Sequence, residues 1–100
     1  MTQHTIIIDT DPGADDCAAI LMALGLEQLY PIKILGITTV CGNVSVKCTT
    51  RNARIICDWA NRQDVPIYQG AAKPILNTLH DASEVHGETG LAGAPLHDPH

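Results

Sequence analysis

The stretch TIIIDTDPGADD, residues 5–16, contains the first predicted strand and the turn that follows it. Its β-branched first half is typical of a buried strand, and Pro12-Gly13 ends that strand in a turn. A helix then begins at Asp15 or Asp16 and runs to about Leu29, because apolar residues recur there at helical spacing and acidic residues suit a first helical turn. The stretch therefore predicts a strand, a turn and a helix.

A second strand and helix follow in the same order, and a third strand comes after them. IKILGITTV at residues 32–40 is a second predicted strand, Ser45 is placed to cap a helix over about 46–62, and VPIYQ at 65–69 is a third strand. The buried face of that second helix is predicted to carry Thr49, Ala53, Ile56, Cys57 and Ala60. The order β-α-β-α-β predicts an α/β fold with an open, doubly wound, mostly parallel sheet.

This unit spans about residues 5–69, and we expect residues 70–100 to form an active-site loop region with at most a short helix near 74–79. Three strands and two helices would make a thin sheet with exposed edges. We therefore expect residues 1–100 to be the N-terminal part of one larger domain.

Composition excludes several classes of function. The chain has 100 residues, 45% hydrophobic residues and a net charge of −5, which argues against nucleic acid as a partner. We expect neither a signal peptide nor a membrane-spanning segment, because the N-terminus lacks a basic region and no apolar run is long enough. The four cysteines form no CxxC pair, and we expect buried, reduced thiols in a cytoplasmic protein.

Four aspartates, Asp9, Asp11, Asp15 and Asp16, lie at the end of the first strand and in the turn after it. Asp9 and Asp11 share a strand face, and the turn brings Asp15 and Asp16 back at the carboxyl edge where open α/β sheets bind ligands. Carboxylates this close repel one another, and a hard cation such as Ca²⁺ or Mg²⁺ relieves that repulsion. The alternative is that Asp15 and Asp16 only cap a helix, while Asp9 and Asp11 are loop residues without a function.

The motifs DTDPGADD, CAAILMAL, ITTVCGN and VHGETGLAG, in this order, resemble the nucleoside hydrolases along essentially the whole chain. The resemblance implies a Rossmann-like nucleoside hydrolase fold and hydrolysis of the N-glycosidic bond of ribonucleosides to ribose and free base. It also implies a bound Ca²⁺, a role in purine and pyrimidine salvage, and a homo-oligomer in the full-length form.

The resemblance also assigns roles to the metal site. Asp11 would be a calcium ligand and the general base for the attacking water, and Asp16 would be a second calcium ligand. Asp9 would not bind the metal itself but would orient the neighbouring residues that do. Family members are much longer, so we expect the remaining calcium ligands and the acid for the leaving group beyond residue 100, and the 100 residues alone to hold only part of the site.

Three residues would contact the nucleoside. By the same resemblance, Asp15 would bind ribose hydroxyls, Asn43 would also contact ribose, and His86 would lie near the base or the outer part of the sugar. On local grounds Asn43 is equally a turn former and His86 a solvated loop residue. The remaining loop histidines, His80, His97 and His100, stand outside any motif.

Two other functions are consistent with the aspartates. One is a Mg²⁺-dependent phosphohydrolase of the haloacid-dehalogenase type, which also places a DxD pair after its first strand. Pro12-Gly13 and the second aspartate pair depart from that pattern. The other is a truncated, non-catalytic module that binds a metal.

Overall fold

The computed structural model describes residues 2–76, 89–91 and 97–99. Its elements are β1 (His4–Thr10), α1 (Ala14–Leu26), β2 (Ile32–Thr39), α2 (Val46–Trp59) and β3 (Ile67–Gln69). The three strands are parallel and lie in the order β1-β2-β3. The predicted α/β fold with a parallel sheet is therefore confirmed.

A β-bulge in β2 sets which residues of that strand face the core. Ile6 of β1 pairs with Ile34, but Ile7 pairs with Gly36, so Leu35 is an extra residue in β2. Because the bulge changes the alternation of the strand, Ile34 and Ile37 are both buried although they are three positions apart.

Both helices pack on one face of the sheet, as right-handed crossovers between strands in this order require. The core on that face consists of Ile20, Leu24, Ile34, Ile37, Ala53, Ile56, Cys57 and Val65. On the opposite face Ile7, Leu35 and Tyr68 are 62%, 48% and 59% exposed. They line a shallow cavity of about 190 Å³. The described residues thus bury one face of the sheet. The expectation that β1 is a buried strand is therefore wrong for the described residues, because most of β1 is exposed where none of them covers its other face.

Both helices end earlier than predicted. α1 ends at Leu26 rather than near Leu29, because the amides of Gln28 and Leu29 form tight turns by donating to the carbonyls of Gly25 and Leu26. The carboxylate of Glu27, the residue after the last one of α1, accepts a hydrogen bond from the Ile34 amide beside the bulge, at 2.8 Å.

α2 ends at Trp59 rather than Arg62 because the chain enters the left-handed region at Asn61, where φ is 56°. The Asn61 amide donates to the Asp58 carbonyl, and the Arg62 amide donates to the Cys57 carbonyl. These are the two hydrogen bonds of a Schellman motif. At the other end the predicted cap is confirmed, since Ser45 Oγ accepts from the Cys48 amide at 3.4 Å.

The third strand is shorter than predicted. The amide of Val65 donates to the Arg62 carbonyl in a turn, so pairing with β2 begins at Ile67. Residues 74–76 are not helical, and the rest of the predicted short helix, 77–79, lies outside the described residues. None of the described helices is both long and apolar enough to cross a membrane.

Candidate active site at the carboxyl edge of the sheet

Residues 11–16, here called the aspartate turn, lie beside residues 41–44, which form the turn after β2. Thr10 and Thr39, the last residues of β1 and β2, are paired, and the Val40 amide donates to the Thr10 carbonyl at 3.1 Å. Residues 11–16 and 41–44 therefore leave the sheet together at its carboxyl edge, which is where open α/β sheets bind ligands.

Asp11 is held by the second of these turns. Its Oδ2 accepts a hydrogen bond from the Asn43 backbone amide at 2.9 Å, and its carbonyl accepts one from Asn43 Nδ2, also at 2.9 Å. A Cβ atom at Gly42 would overlap the Asp11 carboxylate. The glycine is thus required here by the close approach of the carboxylate to the backbone.

Asp15 and Asp16 both lie in the first turn of α1, where the positive end of the helix dipole favours carboxylates. The N-cap is Gly13, which has no side chain, so the prediction that one of the two aspartates begins the helix is wrong by one to two residues. The structure therefore does not support the alternative in which these aspartates cap α1.

Asp16 has an unusual environment among the described residues, because its Oδ2 atom is buried and has no hydrogen-bond partner there. Burial raises the pKa of this carboxyl, a hydrogen bond with the Thr10 side chain opposes the shift, and the neighbouring Asp11 and Asp15 raise it further. A negative charge is thus disfavoured at Asp16 unless a positive charge lies next to it.

This environment fits a cation. Within the described part of the chain no three Asp, Glu, His or Cys residues form a complete metal-binding group. The carboxyl groups of Asp11 and Asp16 do come together, however, and one of their oxygens lacks a partner. Adjacent carboxylate oxygens, one of them without a hydrogen-bond partner, are suitable ligands for Ca²⁺ or Mg²⁺.

The other predicted site residues have different surroundings. Asp9 Oδ1 accepts a hydrogen bond from Thr38 Oγ1 at 2.7 Å across the pair β1–β2. Asp15 is exposed at the rim of the turn. Asn43 contacts Asp11 with both of its amide groups, a contact that sequence alone did not indicate. His86 lies outside the described residues, so its predicted contact with the nucleoside stays a prediction.

Sequence reasoning missed Asn52, which is 1% exposed. Its side chain connects the aspartate turn to residues 89–91 by two hydrogen bonds. One signal was available in the sequence, because Asn52 falls on the same helical face as Thr49 and Ile56, where a polar residue needs a partner. His97, which had no motif around it, contacts the buried carboxylate of Asp58 through Nε2 at 2.9 Å.

Comparison with known proteins identifies the class to which this site belongs. Residues 6–100 match the family of inosine-uridine preferring nucleoside hydrolases. A non-specific ribonucleoside hydrolase RihC of Salmonella paratyphi A is 54% identical over 88 residues, covering 88% of this chain and 28% of that protein. A probable uridine nucleosidase 2 of rice is 43% identical over 99 residues, covering 98% of this chain and 28% of its own length.

A solved structure shares the fold as well as the sequence. The purine-preferring ribonucleoside hydrolase from Gardnerella vaginalis superimposes with a TM-score of 0.83 at 30% identity, covering 95% of this chain and 30% of that one. The chain belongs to the inosine-uridine preferring nucleoside hydrolase family. It spans less than a third of the length of these relatives.

Proposed function

We propose that the protein hydrolyses the N-glycosidic bond of ribonucleosides, with Ca²⁺ bound at the aspartate turn. The observation that carries this proposal is the pairing of Asp11 with Asp16, whose buried Oδ2 lacks a partner among the described residues, at the end of β1 in a chain of this family. Relatives described as ribonucleoside hydrolase and uridine nucleosidase support the substrate class.

In the proposed mechanism Asp11 and Asp16 hold the cation, which when bound makes a neighbouring water easier to deprotonate. Asp11 accepts the proton of the attacking water, and Asn43 keeps the Asp11 side chain in one orientation through its backbone amide. Glycosidic cleavage passes through a transition state with positive charge on the sugar, which nearby carboxylates stabilise.

Asp15 contributes to substrate binding in this proposal. It is exposed in the same helical turn as Asp16, so its carboxylate is available to accept hydrogen bonds from ribose hydroxyls. Asp9, which already binds Thr38, supports the neighbouring strand ends rather than contacting the reacting atoms. Asn43 and His86 are the other nucleoside contacts that the family resemblance implies, and His86 lies outside the described residues.

The test is ribose release from inosine and from uridine, measured with added Ca²⁺, after treatment with a chelator, and after Ca²⁺ is restored. We expect turnover that the chelator abolishes and Ca²⁺ recovers. Asp11→Asn should reduce turnover by two or more orders of magnitude while the thermal melt is retained. Asp98→Asn, a change at an exposed carboxylate paired with Arg51, is the matched control and should behave like wild type.

A second candidate function rests on the same two carboxyl groups. The pair formed by Asp11 and Asp16 can bind a cation whether or not turnover follows, so the second candidate is a module that binds a cation without turnover. Calcium titration distinguishes the two proposals. Binding of Ca²⁺ without ribose release would support the module, whereas ribose release that depends on Ca²⁺ and Asp11 supports the hydrolase.

We further propose that the protein acts in purine and pyrimidine salvage in the cytoplasm as a homo-oligomer. The four cysteines are free, which supports a reducing compartment. Light scattering of the purified protein tests the oligomer, and a monomer at micromolar concentration would contradict it.

A further inference from the structure

Asn52 is a polar residue on the buried face of α2. It lies one helical turn from Thr49 and Ile56, which are both fully buried, and is itself 1% exposed. A buried amide is unfavourable unless it is hydrogen-bonded, so its partners define its role.

Those partners are two backbone carbonyls from separate segments. Asn52 Nδ2 donates to the carbonyl of Pro12 at 3.0 Å and to the carbonyl of Thr89 at 2.6 Å. Pro12 lies inside the aspartate turn, directly after Asp11, and Thr89 belongs to the VHGETGLAG motif. A single side chain therefore uses its two N–H groups to join two of the motifs that mark this family.

Gly90 shows how closely the two segments approach. Its φ is +93°, and a Cβ atom there would lie 2.8 Å from Asn52 Nδ2 and 3.2 Å from the Pro12 carbonyl oxygen. A cavity of about 310 Å³, lined in part by Asn52 and Thr89, lies beside this contact. Among the described residues, the two hydrogen bonds of Asn52 attach Thr89 to the aspartate turn at this place.

We propose that Asn52 is a positioning residue, which fixes Thr89–Leu91 against the aspartate turn and so sets the width of the nucleoside site. The expected effect of Asn52 on KM rests on the proposed function, whereas its expected effect on amide hydrogen exchange does not. The role requires an amide, because a carboxylate of the same shape would direct an oxygen at two carbonyl oxygens. Asn52→Asp therefore removes both contacts with little change of volume.

The experiment compares Asn52→Asp and Gly90→Ala with the control Ile56→Val in the full-length protein. Ile56 is fully buried on the same helix and packs in the sheet core, so its truncation lowers stability without removing either hydrogen bond of Asn52. Amide hydrogen exchange is measured at Gly90 and Leu91. The kcat and KM for inosine are measured at a temperature where every variant is folded.

We expect Asn52→Asp to accelerate exchange at Gly90 and Leu91, and Gly90→Ala to accelerate exchange at Leu91, at least tenfold. Both variants should raise KM about tenfold, with a smaller effect on kcat. Ile56→Val should lower Tm and leave both quantities unchanged. If Asn52→Asp does not fold, Gly90→Ala decides the question, because it disturbs the same contact from the opposite side.

Unchanged exchange in Asn52→Asp or Gly90→Ala would overturn the proposal. So would faster exchange with an unchanged KM, or the same rise in KM in Ile56→Val, since the role would then be purely structural. If wild-type protein releases no ribose, the proposed function fails. Exchange at Gly90 and Leu91 then still decides whether Asn52 fixes this segment.

Discussion

Asn43 binds Asp11 at two points, with its backbone amide on the carboxylate and its side-chain amide on the Asp11 carbonyl, both at 2.9 Å. The carboxylate and the backbone that carries it are thus fixed by one residue from the neighbouring strand end. We therefore expect Asn43 to affect binding of the proposed cation, in addition to its predicted contact with ribose.

Replacing Asn43 by alanine separates these two roles. Asn43→Ala removes the bond to the Asp11 carbonyl and retains the backbone bond to the carboxylate. We expect the affinity for Ca²⁺, titrated without substrate, to fall about tenfold and the stability to fall by about 1 kcal/mol. A residue that contacted ribose alone would raise KM and leave the Ca²⁺ affinity unchanged. Asn61→Ala, which removes an exposed amide at the distant end of α2, should leave the Ca²⁺ affinity at the wild-type value.

Gly42 gives a second test of the same carboxylate. A methyl group at Gly42 would overlap Asp11, so Gly42→Ala must displace the carboxylate or the backbone of the turn. We expect Ca²⁺ binding and ribose release to be lost while circular dichroism still shows the folded protein.

The control for Gly42→Ala is Gly25→Ala, because a Cβ at Gly25 in α1 meets no atom within 4 Å. This variant should keep wild-type activity and gain about 0.5–1 kcal/mol of stability, since alanine loses less backbone entropy in a helix than glycine does. Wild-type Ca²⁺ affinity in Gly42→Ala would show that the turn can relax and that the close approach is not required.

The elements that the sequence predicted are those defined by local patterns. The β-branched run of β1, the helical spacing of α2 and the Ser45 cap each depend on neighbouring residues, and the structure contains all three. The position of the aspartates at the strand end follows from Pro12-Gly13, which is also a local signal.

The features that the sequence did not predict are long-range contacts. The bulge at Leu35 depends on pairing with β1, and the bonds of Asn52 join residues 40 and 37 positions away. Such contacts depend on which segments meet in space, and no pattern within a single element encodes that. The early end of α2 is a local exception, because the left-handed conformation of Asn61 stops the helix although the polar pattern continues to Arg62.

The contacts of Glu27 predict how the free energy of unfolding depends on pH. Its carboxylate accepts from the Ile34 amide at 2.8 Å and contacts the Arg62 guanidinium at 2.9 Å, and the hydrogen bond from Ile34, followed by Arg62, lowers its pKa below the ordinary 4.5. A carboxyl whose pKa is lower in the folded state stabilises the fold above its unfolded pKa. That contribution disappears as the pH falls through the folded value.

We therefore expect Glu27→Gln to lose about 1–2 kcal/mol at pH 7, and the difference from wild type to shrink as the pH falls below the ordinary carboxyl pKa of 4.5. Urea unfolding at a series of pH values measures both quantities. Asp98→Asn, at an exposed ion pair with Arg51, should follow the wild-type curve. A difference between Glu27→Gln and wild type that stays constant down to pH 2 would show that the charge of Glu27 contributes nothing.

Asn61 ends α2 in the left-handed region, with φ at 56°, and its amide and that of Arg62 satisfy the last carbonyls of the helix. Alanine disfavours this conformation, whereas glycine adopts it without a steric penalty. We expect Asn61→Ala to destabilise the protein by about 1 kcal/mol and Asn61→Gly to match or exceed wild type, as measured by thermal and urea unfolding. Because Asn61 lies far along α2 from Asn52, ribose release should be unaffected in both variants. Equal stability of the alanine and glycine variants would mean that the left-handed conformation at Asn61 contributes no measurable strain to the alanine variant.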